Sequence, residues 1–414
     1  METSERNTRK RGRAVRALAA GLTAATLYQS AALADEAMAE RLDAVIDRWV
    51  SSERIVGLTA IVARDGGVIY HRNAGHADRE TGRPVTDGTI FRLASMTKSM
   101  TSATALALVE EGRLSLDDTV AEWLPYFTPA LPDGRVPDIT VRQLMTHTSG
   151  LSYPFFEPDA DPSIYGHLPA GLERSEGTLE DAMRAIAGAP LFYEPGTEWR
   201  YSVSTDVLGA VIEAASGMTL PDAIDRYVTG PLGMSETAFV AVDAERLATA
   251  YRDGPARAER LDDGDMIPVG VSVWPSRTLD PSAWPSGGGG MSGTARDYLR
   301  FLEAIRNGGV PILSEETAKM LTSHQIGDLR ALSEGPGWGH GLGAAVLLDP
   351  EAAGSPQSEG TWAWGGVLGT HWFVDPAENL TVLVMTNTSV AGVIGAFPAE
   401  IRDAVYGVDA LSTN

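Results

Sequence analysis

With 414 residues, 43% of them hydrophobic and 21% charged, the chain has the composition of a globular protein large enough for one big domain or two modest ones. A formal net charge of −22 argues against a nucleic-acid or anionic-membrane partner, and no apolar span of about 20 residues follows the N-terminal segment, so no integral membrane helix is expected. The absence of cysteine excludes disulfides, a catalytic thiol and cysteine-ligated zinc.

Residues 1–34 read as an export signal. Arg6, Arg9, Lys10, Arg11, Arg13 and Arg16 form a basic start, Ala17 to Ala32 is mostly apolar, and Ala32-Leu33-Ala34 fits a small-x-small cleavage site. Lys10 separates Arg9 from Arg11, so a twin-arginine signal is not supported. A periplasmic or secreted protein is the expectation. Asp35 to Ser51 then carries Met38, Leu42, Val45, Ile46 and Trp49 at the spacing of an amphipathic helix. Leu58 to Arg64 and Val68 to Arg72 are strand-like runs around the hairpin signal Asp65-Gly66-Gly67.

After a turn region from Glu80 to Gly88 comes the stretch Phe91 to Gly112. The apolar positions Met96, Met100, Ala103, Leu106, Ala107 and Val109 predict a helix that starts at Ser95 and is stopped by Gly112. On it Ser95 and Lys98 are three apart and share a face. Lysine is otherwise avoided: among the 33 basic residues only Lys10, Lys98 and Lys319 are lysines. Arginine keeps its proton at any accessible pH, whereas a desolvated lysine can lose one. A hydroxyl at a helix start beside a lysine of lowered pKa is a workable acyl-transfer pair, because the free N–H groups and dipole of the first turn favour an oxyanion and disfavour a second positive charge. The bland alternative is a serine cap with an ordinary surface lysine one turn on, and S-x-x-K alone does not exclude it.

From about Ser115 to Phe301 the strand signal fades and helical stretches take over. Val141 to Thr146 is a short apolar helix ending at His147, a residue equally readable as a structural cap or a catalytic group. Tyr153 to Tyr165, with Phe155 and Phe156, is a long aromatic loop of the kind that forms a lid or pocket wall. Its Asp159 and Asp161 lack the glycine and distal glutamate of a calcium loop, and no metal or cofactor is expected. Thr178 to Ala187 and Thr205 to Ala215 are further helices. Tyr201, on an extended piece after the Glu194-Pro195-Gly196 turn, is either a packed aromatic or a third member of the Ser95/Lys98 site that relays a proton. The run Gly287 to Gly290 has neither a P-loop lysine nor a Rossmann strand, and reads as close backbone packing ahead of a helix from Ala295 to Ile305. Gly341 to Leu348, Thr361 to Gly365, His371 to Val374 and Leu380 to Thr386 read as strands, and Ala399 to Tyr406 as a closing helix. Strands at both ends of a helical middle imply an α/β fold. One antiparallel sheet is built from 35–114 and 302–414 and flanked by helices, with a mostly helical domain inserted at 115–301.

Taken together, Ser95-Met96-Thr97-Lys98, Leu144 to Gly150, Pro195-Gly196 with Tyr201-Ser202-Val203, Pro231-Leu232-Gly233-Met234, Gly287 to Gly290 and Trp364-Gly365-Gly366 resemble, in this order, the serine β-lactamase / penicillin-binding protein superfamily. The likeness is nearest to the esterases of class C β-lactamase fold called family VIII carboxylesterases. The resemblance implies a β-lactamase/transpeptidase-like fold and a small-molecule ester substrate without cofactor. Ser95 would be the nucleophile, with Lys98 and Tyr201 as joint general base and the N–H groups of Ser95 and Val367 as oxyanion donors. It also places Trp364, Gly365, Gly366 and Val203 along the substrate, with Phe155 and Phe156 as pocket wall. Where β-lactam-recognising relatives carry an asparagine two residues after the tyrosine, this chain has Val203. Where they present a cationic Lys-Thr-Gly strand it has Trp364-Gly365-Gly366, which offers an apolar face and one N–H in place of an ammonium. Both differences remove β-lactam handles and leave an esterase expected, acting on short-chain esters. A D-amino-acid peptidase, an amidase, an acyltransferase, residual β-lactam hydrolysis or a non-catalytic penicillin-binding-like sensor are the alternatives. The chain has no G-x-S-x-G, which counts against an α/β-hydrolase.

Overall fold

The computed structural model of the chain describes residues 33–157, 159–331 and 335–408. The export segment expected over 1–34 lies outside these residues up to position 32. A first helix, α1, runs over 33–51 and buries the expected apolar stripe Met38, Leu42, Val45 and Ile46. It is followed by β1 (Gly57–Arg64) and β2 (Gly67–Asp78), joined through Asp65 and Gly66 at φ 51° and 80°. Two consecutive left-handed residues make the tight hairpin turn that suits the twist of the strands, which is why an Asp-Gly pair stands there. A short β3 (Arg83–Pro84) closes this edge.

The helix after the turn region is α2 (Thr97–Glu110), and Gly112, at φ 67°, ends its run as expected. The apolar spacing gives the helix but not the extent of its burial. Every residue from Thr97 to Leu108 is buried, and the hydroxyls among them are satisfied inside: Thr104 donates to the Met100 carbonyl (2.9 Å), Thr101 to Gly287 (2.9 Å) and Ser99 to Gly343 (2.8 Å). A helix hidden on all sides belongs to the centre of a protein. The helix α3 (Val141–Met145) packs on α4 (Ser204–Ser216), which lies along α2, and α5 (Ala295–Arg306) packs on β1 and on the strand Leu380–Thr386. The stretch where the strand signal fades holds two small ladders of its own, Tyr251–Arg252 with Glu259–Arg260 and Asp265–Met266 with Ser272–Val273, and Ser292–Gly293 pairs with Phe91–Arg92; such two-residue strands are too short to leave an alternating pattern.

The last third returns to the sheet with β4 (Trp338–His340), β5 (Ala345–Leu347), β6 (Trp362–Gly366), β7 (Thr370–Asp375) and β8 (Leu380–Thr386), then α6 (Ala396–Tyr406). Of the strand expected over Gly341 to Leu348 only Ala345–Leu347 is extended, and 341–344 turn back from β4, which precedes the expected range. A side chain at Gly341 would stand 2.5 Å from the Leu321 carbonyl and one at Gly343 2.7 Å from the Leu321 side chain, so the chain is pinned there rather than extended. The eight strands lie in the order β4-β5-β6-β7-β8-β1-β2-β3. The last strand thus pairs antiparallel with the first, Ala60 opposite Val384. Alternation along β1 sends Leu58, Ala60 and Val62 to the face covered by α1 and α6, and Ile61 to the face shared with α2. No single helix among the described residues is long and apolar enough to cross a membrane.

Candidate active site

Ser95 stands two residues before α2 begins. It is the middle residue of a 3₁₀ turn, Ala94–Met96, that feeds α2. Ala94 is held left-handed at φ 44°, a conformation that costs an alanine on the order of 1 kcal/mol. Leu93 donates to the Met291 carbonyl (2.9 Å) and the buried Tyr298 hydroxyl to that of Met96 (2.9 Å), which fixes the turn from both sides. Ala94 and Met96 are buried while Ser95 faces a cleft.

Lys98 follows on the same face and is 3% exposed. Its Nζ donates to the Gly288 carbonyl (2.6 Å) and the Tyr153 hydroxyl (3.0 Å) and stands 3.4 Å from Ser95 Oγ. Burial drives its pKa down to about 7, opposed by the negative charge of Asp206. Desolvation, the condition under which a lysine gives up its proton, outweighs the charge of Asp206.

Tyr201 arrives on the extended segment before α4, and its hydroxyl donates to Ser95 Oγ at 2.6 Å. Its ring is held between Tyr153 (5.2 Å), Trp364 (5.4 Å) and His147 (5.0 Å). His147 is wholly buried. Its Nδ1 meets the Ser202 hydroxyl at 3.1 Å, its carbonyl accepts from Tyr193 and Arg200, and burial keeps its imidazole well below the usual range. It packs behind Tyr201, and its hydrogen bonds are with structural neighbours rather than with Ser95 or Lys98 Nζ.

Two functional neighbours escaped sequence reading. Tyr153, the first residue of the aromatic loop, is buried, stacks on Phe155 (5.0 Å) and turns its hydroxyl onto Lys98. Asp206, in the first turn of α4, is 1% exposed. Its Oδ1 accepts from Ser286 Oγ (2.6 Å) and from the Gly288 N–H (3.0 Å), and burial raises its pKa. An acid inside an apolar helical stretch was the available signal for Asp206; for Tyr153 there was none beyond the aromatic run. The glycine run packs as expected: a side chain at Gly287 would lie 2.7 Å from the Thr205 carbonyl, and one at Gly288 2.5 Å from Asp206.

The end of β6 completes the site. A side chain on Gly366 would come within 2.1 Å of the Leu93 carbonyl, so this strand presses directly on the segment leading to Ser95. The Gly366 carbonyl accepts from Gly369 (2.9 Å), and in the trans peptide that follows, the Val367 N–H points the opposite way. Val367 lines the cleft. Its own carbonyl accepts from the Val390 N–H (3.0 Å), although Val390 sits left-handed at φ 46°, a strained state for a β-branched residue.

The cleft has a volume of about 590 Å³. Trp364, Gly365, Phe155 and Phe156 line it as expected. Val203 and Gly366 do not. Val203, just ahead of α4, turns into the core and is 2% exposed, and Gly366 serves as the contact with Leu93.

The chain matches the family model described as Beta-lactamase over residues 32–403. It is 46% identical over 395 residues to Esterase EstB of Burkholderia gladioli, covering 93% of this chain and all of the relative. The solved structure of "EstCE1, a hydrolase with promiscuous acyltransferase activity" superposes with a TM-score of 0.88 at 43% identity, over 91% of this chain and 100% of the other. Unliganded simvastatin synthase (LovD) from Aspergillus terreus shares the fold, with a TM-score of 0.72 at 21% identity over 89% of this chain and 98% of that one.

Proposed function

Within the β-lactamase family, to which this chain belongs, we propose that it is a serine ester hydrolase that passes the acyl group of short-chain carboxylic esters through Ser95. The observation that carries the reading is one contact set: Ser95 Oγ lies 2.6 Å from the Tyr201 hydroxyl and 3.4 Å from a buried Lys98 poised at about pH 7. A lysine neutral part of the time can take up the serine proton as Oγ attacks the ester carbonyl. Tyr201, on the same oxygen, gives its proton to the departing alkoxide and regains one from the Lys98 ammonium, which leaves Lys98 neutral again. Water then repeats the attack on the acyl-serine, regenerating Ser95. The N–H groups of Ser95 and Val367 serve the oxyanion.

Substrate class follows from the walls. Phe155, Leu172, Val269 and Val367 pack with buried Val271 in one apolar cluster beside Ser95, which leaves room for a small acyl chain. Trp364 stands where a β-lactam carboxylate would need a cation, and its indole is 8% exposed. The N-terminal signal adds export to the proposal. The test is covalent and kinetic. A fluorescent phosphonate should label the wild type and not Ser95→Ala, and Ser95→Ala should lose at least about a thousandfold in kcat/KM on p-nitrophenyl butyrate. A chromogenic cephalosporin turned over as well as the butyrate would restore the β-lactamase reading, and a folded, active Ser95→Ala would end this one.

A further inference from the structure

Val367, whose N–H serves the oxyanion, is braced through its carbonyl by the Val390 N–H (3.0 Å), and Val390 is the strained member of that pair, a β-branched residue at φ 46°. A valine free to move relaxes to negative φ, and its N–H then turns away from Val367. Neighbouring groups must hold it.

The segment alongside supplies one. Around Tyr251, in the inserted part of the chain, the backbone runs parallel to 387–389, with Tyr251 bridged to Thr388. The Tyr251 N–H donates to the Asn387 carbonyl (2.8 Å), and the Tyr251 carbonyl accepts from Ser389 (2.8 Å). In a regular parallel ladder the next N–H on this side, that of Ala391, falls to the backbone carbonyl two residues after Tyr251. Here the turn at Val390 interrupts the ladder, and the Ala391 N–H donates to the side chain of that residue, Asp253, with both carboxylate oxygens at 3.2 Å.

The conformation of Val390 is the angle between its two peptide groups. The first is held at Val367. The second is held through the Val390 carbonyl, which accepts from Val393 (2.9 Å) and Ile394 (2.7 Å), and through the Ala391 N–H on Asp253. The bonds to 393 and 394 are made within the loop and travel with it. The bond to Asp253 ties the loop to a segment 138 positions away, and its acceptor carries charge, which strengthens it. Val367 and Val390 also pack against the apolar cluster that contains Ala94, the residue before Ser95, so a shift of Val390 is felt on both sides of the oxyanion.

We propose that Asp253 is a positioning residue: by holding the Ala391 N–H it keeps Val390 left-handed and so keeps the Val367 N–H aimed at the oxyanion. This rests on the ester-hydrolase reading above. Asp253 is half-buried and does not line the cleft, so it acts only through Val390. Because the oxyanion develops in the transition state, its loss should appear in kcat and spare KM.

The experiment measures kcat and KM on p-nitrophenyl butyrate in the full-length protein. Asp253→Ala should lower kcat by about tenfold, a fraction of the roughly hundredfold or more that a whole oxyanion donor is worth, with KM within about twofold of wild type. Asp253→Leu, close to aspartate in outline and also without an acceptor, should do the same and answers the question if the smaller side chain leaves the loop unable to fold. Asp253→Asn offers a carbonyl oxygen to Ala391 and should recover most of the loss. Glycine adopts φ 46° without strain, so in a Val390→Gly background the Asp253→Ala change should cost less than about twofold in kcat. An unchanged kcat in folded Asp253→Ala or Asp253→Leu, a loss confined to KM, or the same tenfold loss in the Val390→Gly background would each overturn the proposal. Phosphonate labelling and ester turnover of the wild type stay intact in all of these failures; their absence would signal failure of the parent reading instead.

Discussion

Replacing Asp206 by asparagine tests the proton economy of the site without emptying it. Asp206 and Lys98 share one backbone residue, Asp206 accepting the Gly288 N–H while the Gly288 carbonyl accepts from Lys98. Its second oxygen, Oδ2, has no hydrogen-bond partner among the described residues, so the carboxylate acts on Lys98 chiefly by charge. Facing Lys98 from the other sides are the hydroxyls of Ser95 and Tyr153, the ring of Tyr201 (4.8 Å) and the neutral His147; Glu173 acts on Asp206 and Tyr153 from further out. Asparagine keeps an oxygen for Ser286 and Gly288 and removes the anion. The negative charge raises the pKa of Lys98 against burial, so its loss must lower it further.

In the wild type the base is deprotonated above about pH 7, and kcat/KM should fall tenfold per pH unit below that, to about 1% of its plateau at pH 5. If Asp206→Asn moves Lys98 down by about one unit, equivalent to about 1.4 kcal/mol, the variant should keep about 10% at the same pH. The assay is kcat/KM on p-nitrophenyl butyrate across the acid limb, with the plateau as internal reference. An acid limb that stays in place or moves to higher pH in a folded Asp206→Asn protein would refute the reasoning, because the base would then be a group that Asp206 does not reach.

Three other outcomes are expected. Lys98→Arg keeps the charge but cannot shed a proton, and should cost on the order of a hundredfold in kcat/KM; near wild-type turnover with an unchanged acid limb would leave the base role to Tyr201. Tyr153→Phe keeps the stacking on Phe155 and removes the hydroxyl 3.0 Å from Lys98, for an expected loss of about tenfold in kcat, one hydrogen bond's worth, and an unchanged kcat would remove Tyr153 from the machinery. Val390→Gly relieves a left-handed valine and keeps the N–H that braces Val367, so Tm should hold or rise; Val390→Pro removes that N–H and should lower kcat by about tenfold or more with KM little changed, which equal kcat in the two variants would contradict.

What could be read from sequence divides along the range of the interactions. The Asp65-Gly66 hairpin and the Ser95/Lys98 pairing are local, decided by residues a turn apart; the hairpin stands where expected, and the pair comes together although Ser95 sits in the 3₁₀ turn ahead of α2. Tyr201 was named through the order of motifs, and the structure sets its hydroxyl on Ser95. Tyr153 and Asp206 meet Lys98 only because α2 is enclosed by separate segments, and no spacing records that. Val203 shows the opposite error. Its place in a motif suggested a substrate contact, but just before α4 its side chain points into the core, and its replacement of an asparagine speaks to packing there. The burial of α2 on every side was likewise not legible, because its serine and threonine hydroxyls are bonded to backbone inside the protein and spacing does not record that.

The contact between Leu93 and Thr370, whose hydroxyl donates to the Leu93 carbonyl (3.3 Å), spans 277 positions of sequence. A ribosome completes Ser95 and Lys98 long before it makes Val367 or the strand that pairs with β1. Activity therefore appears only when the tail of the chain has returned to its head, and hydrolysis of a chromogenic ester is a direct signal that synthesis and closure are both finished. The same arrangement makes a split reporter available. A break in the exposed turn around Asp133 and Gly134 would leave Ser95 and Lys98 on one polypeptide and Tyr153, Tyr201 and Val367 on the other, each silent until the two halves associate.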